Sequence, residues 1–268
     1  MKSAVMVNGL HLSYGDRPVL NDLSFSVHKG EFFIIIGPNG SGKTTLVKVI
    51  SGAARPRSGA VEILGRPLRS YSGRELALHV AVVPQAAPPD NPFTVADVVL
   101  MGRSPHLGLL GVERPKDLEI AERAMSFTEV EHLSERRLDQ LSSGERQRVL
   151  IARAICQQAR IIVLDEPTAS LDLAHQVRIM DLMERLRREQ DITVIMVSHD
   201  LNLAAMYADR MLLMKQGSVV SLGAPGEVLN FETMERAYDC ILLVDNNPVK
   251  GVPRITLVPG DAQCGRKK

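Results

Sequence analysis

The 268 residues predict an α/β fold built on a parallel sheet, with a β-rich opening lobe and an inserted helical subdomain. Three observations lead there. The apolar run Phe32–Ile36 enters the glycine-rich turn Gly37-Pro38-Asn39-Gly40-Ser41-Gly42 and then a helix-forming stretch. Between residues 160 and 215, short apolar runs alternate with helical patterns, as strands joined by helical crossovers do. Residues 86–92, rich in proline, separate a strand-like part of the chain from a helix-like one.

Taken in order, Val5–Val7, Leu23–Val27 and Glu31–Ile36 read as strands, punctuated by turns at Tyr14-Gly15-Asp16 and His28-Lys29-Gly30. Gly42–Ile50 reads as a helix, Ala60–Ile63 as a strand, and Val80–Val83 as a buried strand ending at Pro84-Gln85. Helical patterning follows at Thr94–Met101, Pro115–Ser126 and Val130–Leu133, up to about Ala159. The chain then gives strand Arg160–Asp165, helix Asp172–Gln190, strand Ile192–Ser198, helix Leu201–Tyr207 and strand Arg210–Lys215. In the long helix Leu173, Val177, Met180 and Met183 form an apolar stripe expected to face the core, with Asp172 as N-cap. The tail after about Asn230 carries turn signals at Asn246-Asn247-Pro248 and Pro253, and its last residues 263–268 are expected to fray.

Composition narrows the function. Hydrophobic residues make up 45% of the chain, enough for a packed core, and the net charge of +1 gives no basic footprint for nucleic acid. No apolar run approaches the roughly 18 residues of a membrane span, and no leader pattern opens the chain, so a cytosolic protein is expected. Cys156, Cys240 and Cys264 lack C-x-x-C spacing, which fits a reducing compartment and argues against a zinc site.

The turn completed by Lys43, Thr44 and Thr45 fits G-x-x-x-x-G-K-[ST] and is a phosphate cradle: backbone N–H groups and the positive end of a helix converge on one spot. Its glycines let the backbone approach oxygens, Lys43 reaches β- and γ-phosphates, and the Thr44 hydroxyl ligates Mg²⁺. Ile161–Asp165 is an apolar strand ending in Asp165 and Glu166, where a parallel sheet places its ligand. Asp165 is suited to hold Mg²⁺ or its water, and Glu166 to polarise a water attacking the γ-phosphate. Leu141-Ser142-Ser143-Gly144-Glu145 opens a further helix as a capping box, and a helix start with a hydroxyl and a glycine amide is also an anion site. One subunit has no second phosphate to place there; a partner's nucleotide would fit.

These motifs, in this order, make the chain resemble the ATP-binding cassette family of transport ATPases over nearly its whole length, with Walker A at Gly37–Thr45, signature at Leu141–Glu145 and Walker B at Ile161–Asp165. The resemblance implies a P-loop NTPase of the ABC type: a RecA-like parallel core, an N-terminal antiparallel β lobe, and a helical subdomain inserted at about 86–159. Residues 1–230 would form this domain and 231–268 a C-terminal extension packing on the core or at the dimer interface. It implies ATP and Mg²⁺ as ligands, and a head-to-tail homodimer in which each nucleotide lies between one cradle and the partner's Ser142, Ser143, Gly144 and Glu145. Gln85 matches the loop glutamine that senses Mg²⁺ and the transporter, Ser170-Leu171-Asp172 the loop that crosses the dimer interface, His199 the switch histidine at the γ-phosphate, and Tyr14 the aromatic that stacks on adenine. The signature departs from the common pattern in carrying Ser143 for glycine and Glu145 for glutamine.

Within the family, residues 101–106 and 198–209 resemble the subunits that power uptake of ferric siderophores, haem and cobalamin. That implies an integral membrane permease dimer, a substrate-binding protein acting through it, and residence at the cytoplasmic face of the inner membrane. The permease is expected to dock around Gln85–Asn91 and Met101–Leu110. Two other readings stay open here: an importer ATPase for another substrate, and a soluble ATP-gated clamp outside transport.

Overall fold

Alternating burial builds the opening lobe. Strands β1 (Ser3–Tyr14) and β2 (Arg17–His28) pair antiparallel, so that Val5, Val7 and Leu10 on one meet Val27, Phe25 and Leu23 on the other. Gly9, at φ +54, sits where the register shifts, and this bulge lets β1 run on well beyond the strand Val5–Val7 read from the sequence. The computed structural model describes residues 2–85, 92–108, 111–169 and 171–258.

After β2 come β3 (Phe32–Ile36), helix α1 (Lys43–Ile50), β4 (Ser58–Ile63), β5 (Arg66–Pro67), α2 (Gly73–Ala77) and β6 (Val80–Val83). Helices α3 (Val95–Leu100), α4 (Pro115–Phe127) and α5 (Ser143–Cys156) follow, then β7 (Ile161–Asp165), α6 (Leu173–Gln190), β8 (Thr193–Val197), α7 (Leu201–Tyr207), β9 (Arg210–Lys215) and β10 (Ser218–Gly223). The chain closes with α8 (Pro225–Val228), α9 (Phe231–Tyr238), β11 (Leu242–Asn246) and β12 (Pro253–Leu257).

The first sheet has the order β2-β1-β4-β5; the second runs β10-β9-β3-β8-β7-β6. Its five strands from β9 to β6 are parallel, and β10 closes the edge antiparallel. All residues of β3 and β8 are buried, as strands covered on both faces must be. One face, with Phe33 and Ile35, packs against α1 and the first sheet, where Phe25 and Phe33 stack with centroids 5.8 Å apart. The other, with Phe32, Ile34 and Ile36, joins the core made by α3 to α7.

One expectation changes. Leu173 and Val177 do not face the core but are 78% and 44% exposed, because α6 meets the core only from the end of its second turn, where Ile179, Met180, Met183 and Leu186 are buried. The tail adds strands that the sequence reading did not assign: β11 and β12 form a hairpin whose inner residues Leu242 and Ile255 are buried, held by Asn202 of α7, whose amide pairs with the Ile255 backbone at 2.7 and 3.1 Å.

The 101–106 segment is a strut. Gly102 lies so close to the end of α5 that a Cβ there would stand 2.3 Å from the Arg153 carbonyl. Arg103 is buried and donates to Asp117 Oδ1 (2.9 Å), the Cys156 carbonyl (2.9 Å) and Gln158 Oε1 (3.0 Å). Cys156 is buried, and burial pushes its thiol up to about 12.

Candidate functional site

Four neighbouring strands deliver the candidate residues at their C-terminal ends. β3 leads into the cradle, β6 into Gln85, β7 into Asp165 and Glu166, and β8 into His199.

The cradle's shape is fixed by close backbone approach. Gly37 adopts φ +146, and a Cβ there would fall 2.1 Å from the Met214 carbonyl oxygen of β9, a position only glycine can take. Gly217, in the two-residue turn between β9 and β10, donates its N–H to the Ser41 carbonyl (3.1 Å) and accepts from the Asn21 N–H (2.8 Å). The turn thus ties the cradle to the opening lobe. Helix α1 starts without a side-chain cap or an acidic residue in its first turn, and its first intrahelical bond runs from Leu46 N to Gly42 O. The N–H groups of Lys43, Thr44 and Thr45 therefore have no carbonyl one turn back and face the site.

Lys43 is buried and donates from Nζ to the Gly37 (2.8 Å) and Pro38 (3.0 Å) carbonyls. An ammonium has three N–H donors, so one is left for a phosphate oxygen. Burial lowers its pKa, and the charges of Glu166 and Asp165 oppose that effect. Asp165 is shifted upward, chiefly by burial, with the Thr44 bond and Lys43 acting the other way. Thr44 Oγ1 stands 3.3 Å from Asp165 Oδ1. This hydroxyl and carboxylate are hard oxygen donors, and a half-buried carboxylate that no ammonium or guanidinium bonds among the described residues suits a divalent cation such as Mg²⁺.

Glu166 has φ +51, unusual for a residue with a Cβ, which turns its side chain out of the strand direction. One carboxylate oxygen accepts from Gln85 Nε2 at 2.9 Å, and the other pairs with His199 Nε2 at 2.5 Å. Three residues separated by 81 and 33 positions in the chain thus meet at one carboxylate.

Other predicted residues lie elsewhere. Tyr14 ends β1 with its ring 53% exposed, and no hydrogen bond among the described residues joins it to the cradle. Ser142 caps α5: its Oγ accepts from Glu145 N (3.3 Å), and Glu145 Oε2 takes the Ser142 N–H (2.9 Å) and hydroxyl (2.8 Å). The Ser142 backbone bond, first, and its hydroxyl hold the Glu145 carboxyl below its usual range. Asp172 caps α6 as expected, accepting the His175 N–H at 2.8 Å. Ser170, residues 86–91, Leu109 and Leu110 lie outside the described residues.

The sequence reading missed two contributors. His175 packs its ring against Gly144, and Tyr238 of α9 sets its hydroxyl at the Gly37 backbone. Neither carries a motif, and each becomes visible only when separate elements are packed together.

Comparison with known proteins agrees with this architecture. The ABC transporter family model matches residues 20–169. The hemin import ATP-binding protein HmuV of Thermobifida fusca is 41% identical over 253 residues, covering 94% of this chain and 88% of that protein. The ferric enterobactin transport ATP-binding protein FepC of Escherichia coli is 37% identical over 246 residues, covering 92% and 91%. Among solved structures, a metal-chelate type ABC transporter in an inward-facing conformation superposes with TM-score 0.86 at 29% identity, covering 97% of this chain and 99% of that one. With a family model over more than half its length and such relatives over nearly all of it, the chain belongs to the ABC transporter family.

Proposed function

We propose that this chain is the ATP-hydrolysing subunit of an importer for a metal chelate of the ferric siderophore, haem or cobalamin class. The observation that carries the hydrolytic part is Glu166, held between Gln85 and His199 beside the Lys43–Thr44–Asp165 cluster. The substrate class rests on the likeness to HmuV and FepC and to the metal-chelate transporter.

In this reading the cradle glycines and the start of α1 bind the phosphates, and Lys43 neutralises charge that grows on the γ-phosphate. Mg²⁺, held by Thr44 and Asp165 with Gln85 nearby, supplies further charge neutralisation when bound. Glu166 accepts the proton of the attacking water as its oxygen bonds to the γ-phosphorus and the bond to the bridging oxygen breaks, giving ADP and phosphate. His199 orients Glu166 and the γ-phosphate, Tyr14 stacks on the adenine, and the partner copy's Ser142–Glu145 closes the site.

A second copy of the chain arranged head to tail, a permease dimer and, through it, a substrate-binding protein complete the machine. Among the described residues no helix is long and apolar enough to cross a membrane. The proposed place is therefore peripheral, at the cytoplasmic face of the cell membrane, with the permease on the surface around Met101 and Leu107.

Glu166→Gln tests the site. The amide still hydrogen-bonds but is a far poorer base, so ATP should bind, turnover should fall to background, and light scattering at saturating ATP should show a dimer. Turnover unchanged by the substitution would remove Glu166 from the reaction.

A further inference from the structure

The glycine at 144 has no conformational reason to be there. It lies in the first turn of α5 without positive φ, and glycine in a helix is destabilising relative to alanine. What it provides is space. A Cβ at 144 would stand 2.5 Å from Cδ2 of His175 and 3.0 Å from its Cγ and Nε2. The imidazole reaches from α6 to the buried side of the α5 start, only a third exposed, while its Nδ1 bonds Asp172 Oδ1 at 2.8 Å. The same oxygen accepts the His175 backbone N–H at 2.8 Å, and the next residue, Gln176, bonds the Leu171 carbonyl at 3.1 Å.

We infer that His175 is a positioning residue that locks the Ser142–Glu145 turn and the Asp172 loop of one subunit into a single rigid unit. The two helices cover different parts of one sheet face: α5 packs with α3, α4 and strand β6, and α6 with α7 and strand β8. With the ring wedged between them, a subunit approaching its partner's nucleotide presents the capped helix start and the Asp172 loop at fixed separation. Without it, each must be ordered on association, which costs affinity and catalytic geometry. This inference rests on the two-copy site proposed above and adds the residue that preforms half of it.

The test uses the full chain with Gly144→Ala, His175→Ala, His175→Asn and the Gly144→Ala/His175→Ala pair. His175→Ala should leave ATP affinity of the monomer's own cradle within about twofold, measured by titration with Lys43 and Glu166 intact and chain concentration low, and should lower kcat about tenfold. His175→Asn, which keeps a donor for Asp172, should recover part of kcat. Gly144→Ala should be worse than the pair, because removing the ring makes room for the new methyl.

Equal kcat for His175→Ala and the unchanged chain would overturn the inference, as would a pair no more active than Gly144→Ala alone. If both His175 variants melt early, the dimer readout decides. In the Glu166→Gln chain, ATP-induced dimers must weaken on adding His175→Asn, and dimers of equal strength refute the lock. Absence of any dimer in Glu166→Gln with His175 intact would instead overturn the two-copy reading itself.

Discussion

Replacing Arg103 with leucine should be among the most damaging single changes in the chain, although the residue touches no nucleotide. Its side chain is 6% exposed and its ion-pair partner Asp117 10%. Truncation leaves a buried carboxylate without its guanidinium, at about 3–5 kcal/mol. It also strips the Cys156 carbonyl at the end of α5 of a charged donor, about 1 kcal/mol more. A loss of about 5 kcal/mol is a large share of the roughly 5–15 kcal/mol that holds a typical protein, and lowers Tm by about 10 °C in a chain of this size.

The pH dependence carries a sign. The Arg114 backbone N–H, first, and Arg103 hold the Asp117 carboxyl below its usual range. Its contribution is therefore complete above the ordinary carboxylate pKa and lost as pH falls through the lowered value. Thermal unfolding followed by circular dichroism from neutral to acid pH is the assay. Adding Asp117→Asn to Arg103→Leu removes the stranded charge and should recover about half the loss at neutral pH. A single variant that melts within about 2 °C of the unchanged chain, or a pair less stable than the single, refutes the strut.

Lys43→Ala should abolish hydrolysis, by about a hundredfold or more, since it deletes the ammonium buried in the cradle; steady-state phosphate release checks it. Asp165→Asn should raise Tm at neutral pH while removing turnover: its pKa is raised, so the folded state bears a burial cost above that value which disappears as pH falls through it, and a neutral amide avoids it at any pH. A lower Tm for this variant would contradict the assignment. Leu107→Asp should keep ATP turnover of the isolated chain but lose stimulation by the permease and uptake of the chelate by cells; normal uptake at normal expression would move the docking surface elsewhere.

What the sequence discloses depends on how local the physics is. The cradle is legible because its glycine turn, lysine and helix start are contiguous in nine residues, although the backbone approach of Met214 and Gly217 that fixes its shape is not. Gln85, Glu166 and His199 are legible one by one as strand ends, but their convergence on one carboxylate is a property of strand order, which no local pattern contains. The apolar stripe of α6 misleads at Leu173 and Val177 because periodicity reports which face is apolar, not where along its length a helix meets the sheet. The β11–β12 hairpin escapes because its partner is the Asn202 amide of a distant helix rather than a third strand. Gly144 was assigned to nucleotide contact; the imidazole that crowds it comes from 31 residues downstream.

The turn at Gln216-Gly217 gives a final lesson for anyone weighing natural variants. It has the positive φ pair of a tight hairpin, +48 and +78, and on a sequence map it is an ordinary surface connection of the sort that drifts in length. Here a single inserted residue would unhitch Gly217 from both Ser41 and Asn21. An indel at 216–217 should therefore be scored with lesions of the catalytic loop, and homology modelling that treats this hairpin as freely variable will misplace the cradle 175 residues upstream.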